Sequence, residues 1–276
     1  MRGYYGPSSG VEIRGGAIRN MEKDETPYDG GFFEDEASSS TRSAQAIVPV
    51  LNRILSPANV LDVGCGVGAF LEEFVRAGVR DTVGLEGEWA RGKQFGDPAI
   101  TYRYTDLTHP VDLGRTFDVA LCLEVGEHLD SAFADTLVET LTRHSRAICF
   151  SSAIPGQGGT HHVNEQWPEY WGRRFRSRGY ACFDAVRPTI RRNPRVPTWY
   201  AQNILVYAYP GSPKFEALRK EFAPVRGRVP LLVRDTAHPI MARVLNALPP
   251  RPREEIYYRY RSRWKRYMPG NMARLG

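Results

Sequence analysis

The chain lacks most of what marks secreted, membrane-spanning or disulfide-stapled proteins. Only four of its 276 residues are cysteine, at 65, 122, 149 and 182, and none stand at the short spacing of a metal-binding or redox pair. They read as small core residues of a reducing compartment. No apolar run approaches the ~20 residues needed to cross a bilayer. The start has no basic-then-apolar signal pattern, so the expected location is the cytoplasm. An excess of positive charge is missing from most of the chain: residues 1–210 carry a net −4 and residues 211–276 a net +10, giving +6 overall. The basic block suits an anionic partner, or is simply a solvated helical face.

What is present, at 42% hydrophobic and 25% charged residues, is an ordinary globular composition with room for one substantial core. Its most informative stretch is Val60-Leu-Asp-Val-Gly-Cys-Gly-Val-Gly-Ala-Phe70. An apolar run ends in an acid, then in glycines at 64, 66 and 68, then in a helix start. Such a turn lets backbone approach a ligand, and the helix N-terminus offers unpaired N–H groups. Gly64, Gly66 and Ala69 also satisfy the relaxed dinucleotide fingerprint. Asp62 tips the choice, because a carboxylate there repels a pyrophosphate and welcomes an ammonium or sulfonium. S-adenosylmethionine carries both cations and no phosphate. Cys65, inside the loop, is a further candidate contact.

Alternating patterns predict strands at 59–63, 82–86, 100–104, 117–123, 146–151, 180–184 and 203–209. Helices are predicted at 44–55, 68–78, 89–95, 131–143 and 165–178, which makes an α/β protein with a doubly wound sheet. Pro188, Pro194 and Pro197 suggest a loop at roughly 185–200, leaving the last two strands as an antiparallel edge pair. The expected organisation is an N-terminal arm (1–43), a cofactor-binding domain (44–210) and a basic helical extension (211–276).

Ligands of such sheets gather beyond the carboxyl ends of the strands. Glu86 follows the second strand at a spacing suited to ribose hydroxyls. Asp106 and Leu107 follow the third, as a carboxylate and a backbone N–H for adenine. Leu123, Glu124, Glu127 and His128 follow the fourth. If a helical turn starts there, the last three share a face, and two carboxylates with an imidazole suit a divalent ion. His161 and His162 lie in the glycine-rich stretch after the fifth strand, and His162 supplies a further ligand.

Asp62-Val-Gly-Cys-Gly-Val-Gly68, Glu86 and Phe117-Asp-Val-Ala-Leu-Cys-Leu-Glu-Val-Gly-Glu-His128 together resemble class I S-adenosylmethionine-dependent methyltransferases over roughly residues 45–210. That resemblance implies a seven-stranded Rossmann-like sheet with the last strand antiparallel. Glu-x-x-Glu-His with a later histidine resembles the metal site of small-RNA 2′-O-methyltransferases, and also the matching stretch of ubiquinone-pathway O-methyltransferases. The stretch 155–171, with His162-Val-Asn-Glu165, is similar to a bacterial branch associated with sugar and polysaccharide modification, except that His161 stands where glycine is expected. Trp167, Tyr170, Trp171, Trp199 and Tyr200 are candidates for stacking on sugar rings, or for core and lid packing.

The implied reaction is methyl transfer to a hydroxyl, which needs a base or a Lewis acid to remove its proton. Glu124, Glu127, His128 and His162 would hold Mg²⁺ or Mn²⁺. Glu127 and His162 then carry the catalysis, with His161 as a spare base. The leading acceptor is a sugar or glycan. RNA ribose, a quinone or other small molecule, and a binding protein without turnover are the alternatives. If no metal is used, the histidines become general bases.

Overall fold

The computed structural model describes residues 30–91, 97–229, 248, 249, 252 and 256. The N-terminal arm up to residue 29, most of the predicted helix 89–95 and nearly all of the extension beyond 229 lie outside these residues.

Seven strands form one sheet in the order β3-β2-β1-β4-β5-β7-β6. They are β1 (Asn59–Val63), β2 (Asp81–Glu86), β3 (Thr101–Tyr104), β4 (Val119–Leu123), β5 (Ala147–Ser151), β6 (Ala181–Phe183) and β7 (Leu205–Ala208). β1 pairs in parallel with β2 and β4, β2 with β3, and β4 with β5. β7 runs antiparallel between β5 and β6. All seven expected strands are present, and the antiparallel one lies inside the edge strand β6.

The central strands β1, β4, β5 and β7 bury both faces and read as mostly apolar runs, whereas the edge strand β3 (Thr101–Tyr104) is half exposed. One face is covered by α1 (Gly30–Leu55), α2 (Ala69–Arg76) and α7 (Pro213–Glu221), the other by α3 (Ala134–His144) and α4 (Pro168–Ser177). Ala44, Ile47, Val48, Leu51 and Leu55 lie on one side of α1 and are almost wholly buried. That spacing of three and four residues is the apolar stripe of a surface helix. α1 runs unbroken across residues 43 and 44, and α7, in the basic extension, packs back on the sheet through Phe215 against Phe183. All four cysteines are buried and unpaired.

The expected loop at 185–200 is corrected by α5 (Arg187–Ile190) and α6 (Thr198–Asn203). Pro188 occupies the first turn of α5 and Pro197 caps α6. Proline is tolerated there because the missing N–H would have no partner in the first turn. Arg187, fully buried, ties the two helices by bonding Asp184 with Nε (2.8 Å) and the Gln202 carbonyl with Nη1 (2.9 Å). The predicted helix at 89–95 is a 3₁₀ turn, Glu88–Ala90, over its described part.

β6 runs parallel to β5, since both oppose β7. The chain from 185 to 203 therefore sits at the carboxyl ends of the parallel strands, where β1, β2, β4 and β5 also release their loops.

Candidate functional site

The turn after β1 is held from β2. The Leu85 carbonyl accepts from the Gly64 amide (2.8 Å) and the Cys65 amide (3.1 Å). Glu86 Oε2 accepts from the Gly66 amide (2.6 Å) and Oε1 from the Gly87 amide (2.8 Å). The glycines serve different ends. A Cβ on Gly64 would lie 2.4 Å from Val125 Cγ2, so the turn packs too closely for a side chain. A Cβ on Gly66 would meet nothing within 4 Å, because that residue (φ +54°) faces open space. Gly68 caps α2, beneath the buried hydroxyl of Tyr102.

That open space is a cleft of about 640 Å³, within the range for small-ligand sites. Asp62, Gly64, Cys65, Gly66 and Glu86 line one part of it, and Asp106, Leu107, Leu123, Glu124 and His128 another. Burial, reinforced by Glu86, pushes the Asp62 carboxyl up to about 7. Burial also raises Glu86, although the two amides pull it back. The cleft thus holds two carboxyls in need of a cation or a hydrogen-bond donor. Asp106 is exposed, and its oxygens bond the Thr108 amide (2.9 Å) and His109 Nδ1 (3.0 Å). Its carboxylate is therefore already engaged within its own turn.

At the end of β4 the geometry departs from a helical turn. Glu124 has φ +56°, a left-handed conformation that is costly outside glycine. A 3₁₀ turn, Gly126–His128, follows. Glu124 and His128 consequently do not share a helix face. Glu124 Oε2 accepts from Gln157 Nε2 (2.9 Å) and Oε1 from Asn203 Nδ2 (3.3 Å). Asn203 also donates to Gln157 Oε1 (2.9 Å), closing a triangle between the β4 end, the loop after β5 and α6.

Glu127 is fully buried; Ser152 donates to its Oε2 (3.0 Å), while Oε1 has no donor. Burial drives its carboxyl well above the usual range, and Glu124 adds to the effect. Burial, then His162, pulls His128 down to about 4, so this ring is neutral; its Nδ1 is buried without a partner. The Glu127 carbonyl accepts from the amides of Val163 (2.8 Å) and Asn164 (3.0 Å), which brings in the His162 loop. The His128 and His162 rings meet edge to face, centroids 5.0 Å apart.

Glu127, His128 and His162 each offer one ligand atom, all within 4.8 Å of one another. Of the four expected ligands these three converge, while Glu124 is turned onto amides. Two imidazoles, one carboxylate and two orphaned buried atoms fit a borderline divalent ion better than an oxygen-loving one. His161 also adopts a left-handed backbone (φ +56°) and is not part of this group.

Among the aromatics, Tyr200 lines the cleft, edge-on to Phe70 at 5.6 Å. Trp171, 1% exposed, packs on Phe150 in the core, so it is unavailable for stacking on an acceptor. Tyr170 carries the Arg174 guanidinium over its ring, and Trp199 packs half-buried against the core. Sequence reasoning missed Ser40, which reaches the cleft from α1, and also Gln157 and Asn203. Each is brought in by a long-range contact that leaves no local pattern.

Among the described residues, no helix is long and apolar enough to cross a membrane. Residues 37–186 match the family model described as a methyltransferase domain. A ubiquinone biosynthesis O-methyltransferase of Azorhizobium caulinodans is 36% identical over 83 residues, 28% of this chain and 32% of that protein. The match thus spans about a third of that relative's length. The crystal structure of Streptomyces venezuelae DesVI superposes with a TM-score of 0.50 at 15% identity, covering 68% of this chain and 99% of that one. The sugar N-methyltransferase KedS8 from a Streptoalloteichus species gives 0.49 at 16%, covering 74% and 99%. The matched model takes in more than half of the sequence, from within α1 to the start of α5, and the chain belongs to the methyltransferase-domain family, whose methyl donor is S-adenosylmethionine.

Proposed function

We propose that the chain is an S-adenosylmethionine-dependent O-methyltransferase acting on a hydroxyl of a sugar or glycan, assisted by a divalent metal ion. The observation that carries this reading is the meeting of Glu127, His128 and His162 beside a cleft that His128 lines together with the glycine turn. Asp62 would face the cationic end of the methyl donor, Glu86 would accept from its ribose hydroxyls, and the bare backbone at Gly66 would let it approach. Gly64, Cys65, Gly68, Leu107 and Leu123 would shape the rest of that site. Asp106 would serve the adenine only by releasing Thr108 or His109.

An alcohol becomes a good nucleophile only as its proton leaves. Glu127, His128 and His162 would hold the ion; when bound, it lowers the pKa of the acceptor hydroxyl. The neutral His128 ring brings no proton for the ion to displace, whereas Glu127, its carboxyl raised by burial, would release one as the ion binds. The donor set favours Mn²⁺ over Mg²⁺. Glu124, which lines the cleft, is bonded to the Gln157 and Asn203 carboxamides, and the remaining hydrogen-bonding capacity of this group would pair with acceptor hydroxyls; Tyr200 also lines the cleft. These features favour a polyhydroxylated acceptor. A quinol is the second reading, supported by the short match to the ubiquinone-pathway enzyme.

The test is S-adenosylhomocysteine formation with sugar acceptors, their amino-sugar counterparts and a catechol, in Mn²⁺ and in chelator. The reading expects turnover on a hydroxyl sugar that stops in chelator. Turnover confined to the amine or the catechol would replace it.

A further inference from the structure

The loop carrying His162 also contains an acid that the proposed reaction does not use. Glu165 stands three residues after His162, and its side chain is 20% exposed. Its carboxylate is committed inside the loop. Oε1 accepts from the Gly158 amide (2.6 Å) and lies 3.1 Å from His162 Nδ1, and Oε2 accepts from the Gly156 amide. One carboxylate thereby gathers three groups of a glycine-rich segment that is costly to order. Both carboxylate oxygens are thus already used as acceptors of backbone N–H groups.

Oxygens that both accept from backbone N–H groups face His162 as acceptors as well. The contact with His162 thus requires a proton on Nδ1, and in a neutral imidazole that leaves the lone pair on Nε2. The ring packs on the bare backbone of Gly159. A Cβ there would lie 2.3 Å from His162 Nε2. Free imidazole side chains favour the opposite tautomer, with the proton on Nε2.

We propose that Glu165 is a positioning residue that holds His162 as its Nδ1–H tautomer, so that Nε2 is the nitrogen His162 offers to the Glu127–His128 corner. The catalytic consequence rests on the reading of His162 as a ligand or base; the tautomer does not. A carboxylate behind a ligating histidine fixes the ring and raises its basicity.

The direct test is two-bond ¹H–¹⁵N correlation on the metal-free full chain with ¹⁵N-labelled histidine, at a pH above 8. The His162 signals are those lost in His162→Ala. We expect a protonated Nδ1 and an unprotonated Nε2 in the native chain. In Glu165→Ala the proton should shift to Nε2 or exchange between the two nitrogens, and Glu165→Gln, which keeps one acceptor oxygen, should retain part of the native signature. A native spectrum with the proton on Nε2 overturns the proposal, and this measurement decides it even if Glu165→Ala does not fold. A Glu165→Ala spectrum with the Nδ1 proton still fixed overturns it equally. In turnover, Glu165→Gln should lower kcat by about 10- to 100-fold with little change in KM for the methyl donor. If His162→Ala leaves turnover intact, the reading of His162 fails while the tautomer stands.

Discussion

Glu86 Oε2 lies 2.6 Å from the Gly66 amide, so the acid ending β2 clamps the turn that leaves β1. Its other oxygen holds the Gly87 amide at 2.8 Å. Glu86→Ala should free both N–H groups as well as the expected ribose contact. Bonds to a charged group contribute roughly 1.5–3 kcal/mol, so S-adenosylmethionine affinity should fall by tenfold or more. Calorimetric titration checks this, and an affinity within twofold of native would remove Glu86 from the cofactor site.

Gly64 and Gly66 should separate stability from binding. Gly64→Ala forces a Cβ into Val125, and overpacking of this kind costs about 1–3 kcal/mol. Gly66→Val meets no such wall, though its φ of +54° strains a branched side chain. It should lose more cofactor affinity than stability, because the new side chain occupies the cleft. Thermal melting beside cofactor titration distinguishes the two. Equal melting losses with intact binding in Gly66→Val would place the cofactor elsewhere.

Asp62 gives the unliganded protein a pH dependence of definite sign. Its folded pKa is about 7 against an ordinary 3.8, so the folded chain keeps a proton that the unfolded chain has released. This contribution to stability is complete below about pH 4 and is lost as the pH rises through 7, on the order of a few kcal/mol. A cationic ligand favours the ionised form, so cofactor affinity should rise with pH up to about 7 and then level off. Binding should release a proton in that window. Calorimetry in buffers of different ionisation enthalpy detects the release, and Asp62→Asn should abolish it. A flat affinity between pH 5.5 and 8 in the native protein would contradict the pairing.

The sheet was largely legible because its central strands are buried on both faces and punctuated by glycine and acids. The glycine turn, Glu86 and the fourth-strand acids announced the cleft for the same reason. The segment 185–200 was not legible as helix, since prolines that begin helices look like prolines that break them. Glu124 misled for a backbone reason. The spacing to Glu127 and His128 fits a helical face, but its left-handed φ sends the carboxyl to Gln157 and Asn203. Trp171 shows the limit of reading aromatics, as nothing local distinguishes a ring in the core from one facing a ligand.

His161 and His162 are neighbours with different expected weights. His162→Ala and Glu127→Ala should each weaken Mn²⁺ binding by tenfold or more, since a bond to the ion is lost, while S-adenosylmethionine binding stays within twofold. His161→Ala should change Mn²⁺ binding far less, because that residue is not one of the converging three. Electron paramagnetic resonance of Mn²⁺ titrated into the metal-stripped protein follows the free ion. Equal losses in both histidine variants would mean that the neighbouring rings share the role.

The central claim is tested most directly by methyl transfer from labelled S-adenosylmethionine to a hydroxylated sugar, using protein stripped of metal and then titrated with Mn²⁺. The account predicts no turnover in the stripped protein, recovery that saturates with Mn²⁺, and no recovery in Glu127→Ala. Full turnover in chelator by the native protein would contradict it. The histidines would then be read as general bases.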